Sequence, residues 1–337
     1  MPVRLSAGRA TRPHVRSPVP YDCIVVGAGP AGLSGALMLG RCRRSVLVCE
    51  AGEPRNARSS ALHGYLTRDG IAPGEFIRLA REDLKNYPTV GFHRTEIVDA
   101  RRTSGGFAVV GEGGLKLSAR KLLLATGVAD DLPPVGGLQE LYGKSVHHCP
   151  YCDGWEWRDQ PLAIYGRGEE GVALSLGLTP WSDDLVLCTD GPSQLSEAEE
   201  EQLAAAGVEV REERVVRLEG RDGMLERVIF ADAEALPRRA LFVSSGQHQR
   251  SSLAAKLGCR FNAKGTVETG SCEATNVPGL YVAGDSSREA QFVIVAAAEG
   301  AEAGMAINKA LLKEDLAQKR NSTPRRTSRG GPYAKSG

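Results

Sequence analysis

Residues 21 to 32 read Tyr-Asp-Cys-Ile-Val-Val-Gly-Ala-Gly-Pro-Ala-Gly, and their reading decides the fold. An apolar strand runs straight into Gly27-x-Gly29-x-x-Gly32, a helix follows from Leu33 to Arg41, and a second strand, Ser45 to Cys49, ends at Glu50. Strand, glycine turn, helix and strand make the unit of a doubly wound α/β sheet that holds a dinucleotide. Gly27 permits the tight turn, Gly29 lets the backbone approach a pyrophosphate, and Gly32 lets helix and strand pack closely. Pro30 and Ala31 complete the turn, and the helix N-terminus stabilises phosphate charge. Glu50, 18 residues past Gly32, is spaced to accept the hydroxyl protons of an adenosine ribose and to repel a 2′-phosphate. Such glycines also occur in loops kept for packing alone; the flanking strand, helix and acid favour a nucleotide.

Two distant segments complete this unit. Lys121 to Gly127 is a buried strand ending in the small-residue turn Ala125-Thr126-Gly127, and Val277 to Asp285 is another strand, ending in Gly284-Asp285. An apolar helix, Phe292 to Leu311, follows. A cofactor met by both ends of a discontinuous domain suits a long molecule extended across the sheet edge, which points to FAD. Asp285 is placed to bond its ribityl chain, with a helix N-terminus behind it.

Between these segments the pattern recurs. Strand Leu162 to Tyr165 leads into Gly166-Arg-Gly168-Glu-Glu-Gly171, then a helix, then strand Asp184 to Cys188, with Asp190 in the place of Glu50. Internal repetition of this kind suits an enzyme with two nucleotide folds. Ser193 to Gly207 reads as a helix, Val208 to Phe230 as short strands, and Leu241 to Gly246 as the return to the first domain.

Before the second loop stands His147-His148-Cys149-Pro150-Tyr151-Cys152-Asp153-Gly154. Two cysteines three apart lie on one side of a helical turn, within reach of a disulfide. Pro150 suits the first helical position, and a helix N-terminus at Cys149 favours the thiolate, the nucleophile of disulfide exchange. Asp153 is a candidate proton carrier. The motif admits a redox dithiol, or zinc held by His147, His148, Cys149 and Cys152. Structural zinc usually draws ligands from two stretches, and the chain has no second Cys-x-x-Cys. The other six cysteines read as small hydrophobes.

The 337 residues suffice for two domains, and 42% hydrophobic with 25% charged residues is globular. No apolar run approaches the ~20 residues that cross a bilayer. Residues 1–20 hold four arginines and no acid, residues 318–337 hold six Lys or Arg and no acid, and a formal charge of +1 therefore leaves the body at −9. An acidic body argues against a nucleic-acid partner. The two basic ends read as disordered, the first lacking a secretory apolar run and, with Pro13, Pro18 and Pro20, poorly suited to a transit helix. Without an export signal, the dithiol is expected in a reducing cytoplasm.

The order of the two glycine loops, Ala125-Thr126-Gly127, Cys149-x-x-Cys152-Asp153-Gly154 and Gly284-Asp285 is similar to that of the low-molecular-weight thioredoxin reductases, over residues 21 to 315. The resemblance implies an FAD domain of residues 21–129 and 248–315, interrupted by an NAD(P)-type domain of 130–247 that carries the dithiol, with a tail from 316. It implies that Cys149 meets the substrate sulfur, Cys152 faces the flavin and Asp153 moves the proton. It further implies flavin contacts at Asn56, His63, Gln291 and Phe292, a homodimer, and a thioredoxin-like protein or small dithiol or disulfide as substrate.

Two departures qualify it. Cys188-Thr189-Asp190-Gly191-Pro192-Ser193 lacks the basic residues that bind a 2′-phosphate in the family's NADPH users, and Glu169 and Glu170 add negative charge, partly offset by Arg167. NADPH is disfavoured; NADH, or no pyridine nucleotide, remains open. Gly52 to Asn56 and Leu62 to Gly70 look more like the oxygen-coupled dithiol oxidases related to gliotoxin oxidase, although those carry His where this chain has Asp153. Reductase, oxidase and a zinc-stabilised FAD protein with an inert dithiol are the readings to be separated.

Overall fold

A computed structural model describes residues 20–322; the basic ends at 1–19 and 323–337 lie outside the described residues. The chain opens with β1 (Tyr21–Val26), α1 (Pro30–Arg41), β2 (Val46–Glu50), α2 (Pro73–Leu84) and β3 (Val90–Arg94). An antiparallel meander follows, made of β4 (Ile97–Thr103), β5 (Gly106–Gly111) and β6 (Lys116–Leu124). β6 changes partners along its length. Its first half pairs with β5, while Leu122 to Leu124 pair in parallel with the strand at Leu280–Val282. With β3, β2 and β1 on its other edge, the first sheet joins segments more than 150 residues apart.

After β7 (Val128–Asp131) come α3 (Leu138–Leu141), β8 (Val146–His147), α4 (Pro150–Asp153), β9 (Leu162–Tyr165), α5 (Gly168–Leu178), β10 (Leu185–Cys188), α6 (Glu197–Ala205) and β11 (Val208–Arg211). A second meander, β12 (Val215–Arg221), β13 (Met224–Phe230) and β14 (Leu236–Pro237), precedes β15 (Ala240–Val243). The second sheet is parallel, ordered β11-β10-β9-β15-β8. The return strand expected at Leu241 to Gly246 therefore belongs to this sheet. The chain crosses back one step later, at β16 (Gly246–Gln249), which pairs antiparallel with β7. α7 (Leu253–Lys256), β17 (Leu280–Val282) and α8 (Val293–Ser322) finish the first domain.

Alternation along β1 explains why both faces of the first sheet are covered. Cys23 and Val25 pack with α1 and α8 residues such as Leu33, Ala36 and Ile307, whereas Ile24 and Val26 pack with Phe107, Leu253 and Val277. Burial pushes the Cys23 thiol well above its ordinary value and Cys49 up to about 12, so both are inert packing groups. α8 lies directly on α1, and a Cβ at Gly300 would stand 1.9 Å from the Ala31 carbonyl oxygen. α8 also continues to Ser322, past the domain end expected at 315 and the helix end expected at Leu311. Charge carries it past Leu311: Arg120 pairs with Glu314 and Asp315, and Arg44 with Asp315, tying that turn to the sheet.

Candidate active site

The dithiol segment follows β8 of the second sheet and presents Cys152 and Asp153 to a cavity of the first domain. Cys149 caps α4, Pro150 takes its first position, and Cys149 and Cys152 are joined in a disulfide with 5.3 Å between Cα atoms. The helix is only four residues long, so the dipole invoked from sequence is small. Its local substitute is a bond from the Cys152 amide to Cys149 Sγ at 3.2 Å. Six further cysteines are free: Cys23, Cys49, Cys188 and Cys259 are buried, Cys272 is half-buried and Cys42 is exposed. Among the described residues no three His, Cys, Asp or Glu side chains gather as metal ligands.

A cavity of about 470 Å³ extends from the first glycine loop to this disulfide. Gly27, Gly29, Pro30, Ala31 and Glu50 line one end; Asn56, His63 and the turn Ala125-Thr126-Gly127 line the middle. Gly284, Asp285, Gln291 and Phe292 lead on to Cys152 and Asp153. Gly32 serves packing instead, since a Cβ there would lie 2.0 Å from the Gly27 carbonyl oxygen, and one at Gly27 would lie 2.1 Å from the Ala125 carbonyl oxygen. Gly29 is different: a Cβ would meet no atom within 4 Å. Packing does not demand glycine there, whereas a pyrophosphate resting on the turn does. A long cavity that is open over that turn and ends at a sulfur fits FAD.

Sequence reading missed the charges that partner these groups. Glu50 is bonded to Arg81 of α2, whose guanidinium also stands 5.3 Å from the Phe92 ring centre. Asp285 is 3.1 Å from Arg55, and Arg55 also meets Gln291 at 2.5 Å and Asp130 of β7 through two nitrogens. Tyr142 donates to Asp130 at 2.9 Å, so the 2.8 Å contact between the phenol oxygen and His148 Nδ1 takes its proton from the imidazole. Burial, with the Arg55 charge, pushes His148 below its ordinary value and leaves its Nε2 a lone pair. Burial alone would raise Asp130, but the bonds and charge of Arg55 outweigh it and hold the carboxyl below the usual range. The signal was Gly-Glu-Pro-Arg55-Asn56, but its partners lie 75 to 236 residues away.

His63 stands 3.6 Å from Asp69 and 3.5 Å from Glu156, joining its loop to the turn after the dithiol without a close hydrogen bond. The second glycine loop keeps the spacing but not the surroundings. Gly166 and Gly171 face each other tightly, and Gly168 is open. Asp190, expected to read a ribose, accepts instead from the Tyr165 hydroxyl at 2.9 Å and the Val215 amide at 2.8 Å. Its backbone turns left-handed, φ +55°, which aims the carboxylate back into the domain. Arg167 lies across the strand end, donating to the Thr189 and Asp190 carbonyl oxygens.

Two doubly wound nucleotide folds, with a disulfide closing the cavity of the first, define a nucleotide-dependent disulfide oxidoreductase. The chain belongs to the pyridine nucleotide-disulphide oxidoreductase family, whose pattern matches residues 21–300, and membership implies FAD. It is 31% identical to "Thioredoxin reductase tcpT" of Claviceps purpurea, over 88% of this chain and 96% of that one. It is 30% identical to "Probable thioredoxin reductase" of Arthroderma benhamiae, over 80% and 74%. Among solved structures, HlmI superposes with a TM-score of 0.86 at 37% identity, covering 90% of this chain and 96% of HlmI. A putative thioredoxin reductase TrxB of Bacillus anthracis gives 0.83 at 34%, covering 88% and 99%. The protein is an oxidoreductase acting on sulfur groups.

Proposed function

We propose that the protein passes two electrons between FAD and the disulfide of a thioredoxin-like protein, or of a small dithiol or disulfide, through Cys149 and Cys152. One observation carries the reading: Cys152 and Asp153 line the same cavity as Gly29, Asp285 and Phe292. FAD, when bound, supplies or takes the electron pair. In the reducing direction the Cys149 thiolate attacks a substrate sulfur and releases the other as a thiolate. The Cys152 thiolate then attacks Cys149 Sγ, restoring the disulfide and releasing the second substrate sulfur, while Asp153 delivers a proton to a leaving sulfur. Glu50 and Asp285 bond the cofactor's hydroxyls, and Asn56, His63, Thr126, Gln291 and Phe292 surround its remainder. Free thiols at six of eight cysteines support a reducing compartment such as the cytoplasm, and a homodimer is part of this reading.

A second reading, transfer of electrons from a dithiol to oxygen, is favoured by Arg167 lying over the strand end and by the inward turn of Asp190. Both remove groups that a pyridine nucleotide would use. Gly166, Gly168 and Gly171 then serve the fold alone. Anaerobic mixing of the flavoprotein with NADH, NADPH or a dithiol decides between them. Flavin bleaching by NADH and transfer to a protein disulfide supports the first reading. Bleaching by the dithiol alone, reversed by oxygen, replaces it with the second. Full turnover in Cys152→Ser overturns both.

A further inference from the structure

A chain of hydrogen bonds behind the dithiol is left unused by that reading. Trp157 Nε1 lies 2.9 Å from His147 Nε2, and His147 Nδ1 lies 3.1 Å from an Asp153 carboxylate oxygen. His147 is buried, on the edge strand β8 beside β15, with the Phe242 and Trp157 ring centres at 5.6 and 6.0 Å. The Lys144 carbonyl oxygen also stands 3.1 Å from Nε2. These contacts compete, and donor counting decides between them. An indole N–H only donates, so the Trp157 bond requires a bare lone pair on Nε2. A neutral ring then carries its proton on Nδ1, where it donates to Asp153. The other tautomer would turn an Nε2–H against the indole N–H and an Nδ1 lone pair against the carboxylate, two buried repulsive contacts in exchange for one bond to Lys144.

We propose that His147 is the positioning residue of Asp153. Trp157 sets the imidazole tautomer, and Nδ1–H holds one carboxylate oxygen, leaving the other for the proton exchanged at the dithiol. Asp153 ends a four-residue helix that has little rigidity of its own. His147 ties it to the second sheet, as a partner behind a reacting group fixes that group's orientation. The inference rests on the reading in which Asp153 carries the proton.

The test uses the full-length flavoprotein with 15N-labelled histidine. Long-range proton–nitrogen spectra report which ring nitrogen bears hydrogen, and His147→Asn assigns the signal. Wild type is expected in the Nδ1–H form. Trp157→Phe, which keeps an aromatic ring and deletes the donor, is expected to move His147 toward the Nε2–H form, donating to the Lys144 carbonyl oxygen. In turnover, His147→Leu is expected to lower kcat about 10-fold with KM unchanged, against about 100-fold for Asp153→Leu, the low end of general acid–base contributions. His147→Asn, whose amide can donate to Asp153, is expected to recover most of the loss. A wild-type Nε2–H tautomer overturns the proposal, as does unchanged kcat in both His147→Leu and Trp157→Phe. Turnover in Cys152→Ser would remove the dithiol reading itself, a result separate from the tautomer, which is read without turnover.

Discussion

Replacing Asp130 with Asn tests whether the Arg55 network holds the two domains together. Asp130 sits on β7, the strand that leaves the first domain, and its side chain is 7% exposed. It accepts from two Arg55 nitrogens and from the Tyr142 hydroxyl, while Arg55 keeps Asp285 and Gln291 on the other side. Asparagine preserves the shape, but removes the charge and turns an N–H₂ toward a guanidinium. Loss of a hydrogen bond to a charged group costs about 1.5–3 kcal/mol. Stripping a buried charge of its only partner costs about 3–5 kcal/mol, an upper bound here because Arg55 retains Asp285. We expect a loss of about 2–3 kcal/mol, and a urea midpoint that falls accordingly. Faster amide exchange should be confined to β7 and β16. A cycle with Arg55→Met and the double variant should return a coupling of at least about 1 kcal/mol. A coupling near zero, with unchanged exchange in β7 and β16, would refute the latch. The pH dependence has a definite sign. His148 and Asp130 both lie below their ordinary values in the folded protein, so the unfolded chain binds more protons. Stability should begin to fall as pH drops through the ordinary His value of 6.5, and fall again below the ordinary Asp value of 3.8. Asp130→Asn should shrink the second step, to which Asp315 and other paired carboxylates also contribute, and should deepen the first, because the Asp130 charge favours the His148 imidazolium.

Three other outcomes are expected. Cys152→Ser should retain FAD and lose turnover, while Cys149→Ser should also be inactive yet show a long-wavelength charge-transfer band from the Cys152 thiolate; a band in Cys152→Ser alone would reverse the two roles. Asp285→Ala should weaken FAD binding by ~10–150-fold, the loss of a charge-assisted hydrogen bond, and unchanged affinity by flavin-release titration would remove Asp285 from the cofactor site. NADPH should reduce the flavin no faster than NADH in stopped-flow traces, and rapid saturable reduction at micromolar NADPH would mean that Arg167 swings off the strand end to take the 2′-phosphate.

What the sequence made legible was what short spacing encodes. β1, the loop at Gly27 to Gly32 and β2 are fixed within thirty residues by alternation, glycine placement and one acid, and Cys149, Pro150 and Cys152 by a single helical turn. The partners of these groups were not legible, because no local periodicity records them. Arg55 meets Asp130 across 75 residues and Gln291 across 236. Arg81 reads as an unremarkable charge on an amphipathic helix until α2 docks beside Glu50. β3, β4 and β5 also escaped: β3 is half-buried from Val90 to His93 and exposed at Arg94, and β4 buries only Ile97 and Ala100, so neither offers a clear apolar run.

The two glycine loops show why equal spacing does not mean equal chemistry. Each has two glycines locked by close backbone contact and one, Gly29 or Gly168, facing open space, so each satisfies the steric requirement for a phosphate. The difference lies at the ends of the second strands. Glu50 stays on the cavity wall, paired with an arginine from another helix, and remains able to accept ribose hydroxyls. Asp190, through one left-handed residue, turns its carboxylate to Tyr165 and Val215, and Arg167 spends its donors on carbonyl oxygens of the same strand end. A nucleotide that used Asp190 or Arg167 would, under the proposed second reading, compete with those bonds. Under the reading proposed here, this internal competition weakens pyridine-nucleotide binding more than the missing basic residues do, because it penalises NADH as well as NADPH.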